Sequence, residues 1–135
     1  MDYSSEVVRR FRSPRRAGVI AEDTPGVVSG EAEDRSLNVW LRFQVQVRDR
    51  RVDVVRFQAF GCPHTIAAAD WIAERLEGDD VKALAELDVH AAARALAVPI
   101  EKLGKLLRIE DALVACWHAH GRGSESKGRE RWQSH

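Results

Sequence analysis

Two cysteines, Cys62 and Cys116, are the side chains of this 135-residue chain with the widest chemical reach. Cys62 stands where an extended, β-branched run passes through Gly61 to Pro63 and an alanine-rich stretch, which puts its thiol at the start of a helix. There the helix dipole and the unpaired N–H groups of the first turn favour a thiolate, and His64 follows two residues on. The pattern fits a nucleophile or a soft metal ligand; the alternative is a buried cysteine serving as a small hydrophobe. Cys116 and His120 are spaced i, i+4, one face of a helix, as a metal-binding pair requires, with His118 on another side. Cys116 also falls within the apolar period of the last helix, and His120 where that helix frays, so a buried thiol and an exposed histidine form the simpler account. Hydrolytic and nucleotide chemistry lack their signatures, since there is no GxSxG elbow, HExxH pair or P-loop.

The elements that must position these residues are legible in the hydrophobic periods. Val7, Val8 and Phe11 form one apolar stripe over residues 4–12, opened by Ser4 or Ser5 as cap and closed before Pro14, which predicts a short helix. From Asn38 to Val47 the apolar residues alternate, and from Val52 to Phe60 the β-branched and aromatic pattern resumes after the polar break Arg48 to Arg51. These two runs predict an antiparallel hairpin, and a shorter strand over 27–32 completes a three-stranded sheet. A helix follows from Pro63 to Leu76, ended by Gly78. Asp79 or Asp80 caps a short helix through Leu87, Asp88 caps another through Leu96, and after Pro99 comes a long helical pattern carrying Leu103, Leu106, Leu107, Leu113 and Trp117. Residues 1–120 read as one α+β domain, and the polar stretch 121–135 as a flexible tail.

Composition narrows the class. Hydrophobic residues make up 44% and charged residues 31%, and no apolar run approaches the roughly 20 residues of a membrane span. The polar start meets arginines before any apolar block, unlike a secretory signal, and two cysteines cannot build a disulfide framework or a four-thiolate zinc site, so a reducing cytoplasm is the expected setting. Basic and acidic side chains balance at 21 each, which argues against nucleic acid or an anionic membrane as partner. Charge is nevertheless segregated: Arg9, Arg10, Arg12, Arg15 and Arg16 precede Glu22, Asp23, Glu31, Glu33 and Asp34, a pattern read as solvated surface.

Several short motifs in order resemble the IscU-type iron-sulfur cluster assembly scaffolds, also found as the N-terminal domain of NifU. They are Tyr3-Ser4 with Val7, Phe11, Pro14-Arg15 and Gly18; the hairpin; Phe60-Gly61-Cys62 followed by Ile66-Ala67-Ala68; and Glu110-Asp111-Ala112. The resemblance spans nearly all of residues 3–120. It implies an α+β fold, a three-stranded antiparallel sheet packed by helices with a long C-terminal helix, and a cluster or metal site at one end. It further implies a non-enzymatic role, an iron-sulfur cluster or iron or zinc as cofactor, and a cysteine desulfurase or other iron-sulfur assembly proteins as partners.

Such scaffolds use three cysteines assisted by an aspartate and a histidine, because soft thiolates suit iron-sulfur chemistry. Matched without gaps from Gly26, the family's Ala-Cys-Gly-Asp becomes Ala32-Glu33-Asp34-Arg35, so Glu33 replaces a cysteine and Arg35 the aspartate. Cys62 is retained. Matched through Glu110-Asp111, the histidine becomes Gly104 and the third cysteine Lys105. Val98-Pro99-Ile100-Glu101-Lys102 is a weakened form of the Leu-Pro-Pro-Val-Lys segment by which a dedicated chaperone recognises these scaffolds. The exchanged positions predict a Glu33–Lys105 salt bridge in place of a metal clip. Cys62, with His64, Glu33 or Asp34, is the candidate for a persulfide or a metal. The leading expectation is a divergent assembly or delivery factor, or an adaptor for the sulfur-donating machinery. The competing one is a thiol-dependent redox or sulfur-transfer enzyme using Cys62.

Overall fold

The computed structural model of the chain describes the backbone of residues 3–133 and the side chains of residues 3–122. Helix α1 (Ser5–Arg12) leads into strands β1 (Val27–Asp34), β2 (Val39–Arg48) and β3 (Arg51–Phe60), followed by α2 (Pro63–Leu76), α3 (Val89–Leu96) and α4 (Leu103–Gln133). The strands form one antiparallel sheet in the order β1-β2-β3, the expected α+β architecture. β2 and β3 turn through Asp49 and Arg50, both at positive φ, which suits the right-handed twist of the flanking strands.

Alternation sorts the sheet into two faces. Val39, Leu41, Phe43 and Val45 of β2 are buried, as are Val52, Val55 and Phe57 of β3, and α2 packs on β3 while α4 packs on β1 and β2. Gly30 of β1 is where α4 comes closest: a Cβ there would lie 2.3 Å from the Ala112 carbonyl oxygen and 2.7 Å from the Cys116 nitrogen. On the outer face Gln44, 2% exposed, donates to and accepts from the Ile20 backbone at 2.9 and 2.7 Å, so the segment after α1 is fastened across the sheet.

Four local expectations are corrected by packing. Phe11 is not on the buried face of α1 but 42% exposed, and Arg10 takes the inner position. Its guanidinium donates to Asp70 at 2.7 Å and pairs with Glu74 at 3.0 Å, while Asp70 also accepts the Arg16 N–H, so part of the arginine cluster is an internal clamp between α1 and α2 rather than solvated surface. The segment capped by Asp80 is a single 3-10 turn, Val81–Leu84, not a helix reaching Leu87. His120 is partly buried against the Trp117 ring, with His118 the exposed histidine. The tail expected over 121–135 lies almost wholly outside the described side chains; the α4 backbone is helical through Gln133.

Candidate functional site

The site begins with the backbone at residue 62. Cys62 is extended (φ −80°, ψ 166°) and occupies the N-cap of α2, with Pro63 in the first turn where its missing N–H costs nothing. Ser, Thr or Asp would ordinarily cap here; a thiol does not, and the Cys62 side chain makes no capping hydrogen bond. Its sulfur instead lies 3.5 Å from the Thr65 hydroxyl and is half-buried. Burial pushes the Cys62 thiol up, but the Thr65 hydroxyl and N–H, the Lys105 ammonium and the His64 N–H outweigh it, so the thiol ionises below its ordinary value. Cys116 is the contrast: fully buried in α4, its thiol 3.6 Å from the Phe43 carbonyl, it is pushed up to about 12 by burial.

His64 is 1% exposed, with Tyr3 packed on its ring at a centroid distance of 4.7 Å, and its Nδ1 has no hydrogen-bond partner among the described residues. Burial first, then the charges of Lys102 and Lys105, hold its pKa below the usual histidine value, with Glu101 opposing them. The imidazole is therefore neutral near pH 7, and Lys105 acts on both the sulfur and the ring.

The predicted Glu33–Lys105 bridge does not form. Strand alternation decides this: Gly30, Ala32 and Asp34 face α4, whereas Glu31 and Glu33 face away. Glu33 pairs with Arg35 at 3.5 Å in solvent. Asp34 takes the inward role, 3.5 Å from Arg108 of α4, while its other oxygen accepts from the Ser36 hydroxyl at 2.6 Å and the Leu37 N–H at 3.2 Å. The Ser36 hydrogen bond leads the causes that keep the Asp34 carboxyl below its ordinary value. Beside this turn, the Leu37 side chain covers Gly104, coming within 3.6 Å of where a Cβ would stand. The candidate set thus divides: the charge of Lys105 acts on Cys62 and His64, whereas Glu33, Asp34 and Arg35 are engaged elsewhere. Thr65, Leu37 and Arg108 carry no site role in the sequence, and Tyr3 stands there only as part of the opening motif; of these Thr65 had a local signal, at the third position of a helix capped by Cys62.

An iron-sulfur cluster is cargo to a scaffold, and holding it takes several convergent thiolates. Among the described residues no three His, Cys, Asp or Glu side chains gather where a metal ion would sit. The donors present, one thiol and one imidazole beside a lysine, do not fit a cluster held by this chain alone.

Fold and site together define a class: a small α+β protein presenting one thiol where a sheet hands over to a helix. The chain belongs to the NifU-like N terminal domain family, whose profile matches residues 2–122. It is 27% identical over 128 residues to the iron-sulfur cluster assembly scaffold protein IscU of Rickettsia prowazekii, covering 94% of this chain and 98% of that one. It is 28% identical over 115 residues to the mitochondrial iron sulfur cluster assembly protein 1 of Kluyveromyces lactis, covering 84% of this chain but 64% of the relative, so it spans less than two thirds of that protein. Its fold matches the N-terminal part of a nitrogen-fixing NifU-like protein of Brucella abortus with a TM-score of 0.71 at 14% identity, over 88% of this chain and 94% of that one.

Proposed function

We propose that this chain serves iron-sulfur cluster assembly as a divergent assembly or delivery factor that works through the single thiolate of Cys62. A domain over residues 1–120 carries the role without catalysing a reaction. The observation that carries the reading is a half-buried Cys62 at the N-cap of α2 whose thiol is held below its ordinary value by the Thr65 hydroxyl and N–H and the charge of Lys105. In a sulfur-accepting step the Cys62 thiolate attacks the outer sulfur of a donor persulfide. The donor's S–S bond breaks, its inner sulfur leaves as a thiolate, and a new S–S bond forms on Cys62, with no net oxidation or reduction. A cysteine desulfurase is the donor this reading calls for, and a cluster would be completed with thiolates from a partner. Among the described residues no helix is long and apolar enough to cross a membrane, and a reducing cytoplasm would keep Cys62 available.

The test is anaerobic reconstitution with ferrous iron and sulfide, set beside sulfur transfer from a persulfide-charged cysteine desulfurase, on wild type and Cys62→Ser. The expected result is sulfur on wild-type Cys62, none on Cys62→Ser, and no stoichiometric cluster on the isolated chain. A stoichiometric cluster on the isolated wild type, lost in Cys62→Ser, would overturn the single-thiolate reading in favour of a self-sufficient scaffold.

A further inference from the structure

Away from Cys62, a groove opens between α2 and the segment that runs from the 3-10 turn into the start of α3, with a cavity of about 360 Å³. Its floor is apolar: Trp71 and Ile72 stand on the α2 side, and Ala83, Leu87 and Ala91 on the other, where the small alanine side chains leave the room. A phenyl ring fits such a space, since a cavity of roughly 150 Å³ accepts benzene. The Arg75 guanidinium lies over the Trp71 ring, 4.0 Å from its centroid, and steadies that wall. The rim is acidic. Asp79, Asp80, Glu86 and Asp88 line it against Arg75 and Lys82, a negative excess in a chain whose 21 basic and 21 acidic side chains balance. Asp80 reaches Arg50 at 4.0 Å and Asp88 touches the His90 ring at 2.9 Å, whereas Asp79 and Glu86 make no ion pair among the described residues.

The complementary surface is on the same chain. Val8, Phe11 and Arg12 share one side of α1 at i, i+3 and i+4, away from the Arg10 that clamps the helix to α2. Phe11 is 42% exposed, and Arg12 and Arg15 beside it are exposed and make no ion pair among the described residues. The clamp pins α1 by its inner side, so this aromatic and basic face does not turn into the groove of its own chain. We propose that the chain self-associates by seating α1 of one copy, through Phe11, in the acidic Trp71 groove of a second copy, with Arg12 and Arg15 set against the rim carboxylates. The surface is separate from Cys62 and does not rest on the sulfur-accepting reading. Burial of the ring supplies affinity, while the opposite charges decide which face meets which. Because those charges are exposed, the association weakens as salt rises.

The experiment is sedimentation equilibrium of the full chain at low and high salt, in reducing buffer so that no intermolecular disulfide contributes, on wild type, Phe11→Ala, Arg12→Glu and Glu86→Lys. All three side chains are exposed, and matching urea midpoints verify that each variant keeps its fold. The wild type is expected to associate more tightly at low salt, and each variant about tenfold more weakly than the wild type. An equimolar mixture of Arg12→Glu and Glu86→Lys brings the native α1 of one to the native groove of the other, so a one-to-one complex should form where neither variant associates alone. A wild type still monomeric at about 1 mM overturns the proposal. So does association that survives either charge reversal unchanged, which would place the contact on other faces, or a mixture that stays monomeric.

Discussion

His64 couples the site to stability through a single proton. Burial and the two lysines hold its folded pKa below 6.5, whereas the unfolded chain takes up the proton at the ordinary value. The unfolded state therefore binds more protons as pH falls through about 6.5, and the folded state loses stability in that window. Carboxylates held low, such as Glu77, which accepts the Val55 N–H and pairs with Arg16 against the cost of burial, add their loss only further down, from near their ordinary 4.5. Urea unfolding at pH 7.5 and 5.5 should show a smaller drop for His64→Gln than for wild type; equal drops would mean that His64 protonates freely in the fold. His64 itself was visible as a neighbour of Cys62. Its burial under Tyr3 was not, because the contact joins residues about sixty positions apart and neither carries a local signal for it.

At the scale of elements, the decisive contact is α4 against β1 at Gly30. The helix backbone approaches so closely that a methyl group would overlap the Ala112 carbonyl oxygen, and backbone cannot move aside as a flexible side chain can. Gly30→Ala should lower stability by about 3 kcal/mol, at the upper end of overpacking costs, read as a fall in the urea midpoint. The same approach aligns Asp34 with Arg108. β2 and β3 were legible because a period of two buries one face, and α2 because Pro63 opens an alanine-rich run of high helix propensity that Gly78 ends. β1 was the weak case: Glu31, Ala32, Glu33 and Asp34 put carboxylates on both faces, so no hydrophobic contrast told which of Glu33 and Asp34 turns inward.

Across the whole molecule the two thiols separate by environment. A thiol reagent at pH 8 should react with one cysteine in the folded protein, Cys62, and with both in denaturant, since Cys116 is fully buried and its pKa is pushed up to about 12. Two fast thiols without denaturant would mean that α4 opens from the sheet. Sequence alone determined the element order, the hairpin, the N-terminal place of Cys62 on α2 and the absence of two family cysteines. All of these are local properties of period, cap and residue identity. Tertiary structure alone decided that Arg10 is buried and Phe11 exposed, that Asp34 rather than Glu33 meets α4, and that Glu33 pairs with Arg35 instead of Lys105. Those outcomes depend on which side of each strand and helix meets a neighbour. The energy that settles it comes from burial and charge pairing between segments far apart in the chain, which no local pattern records.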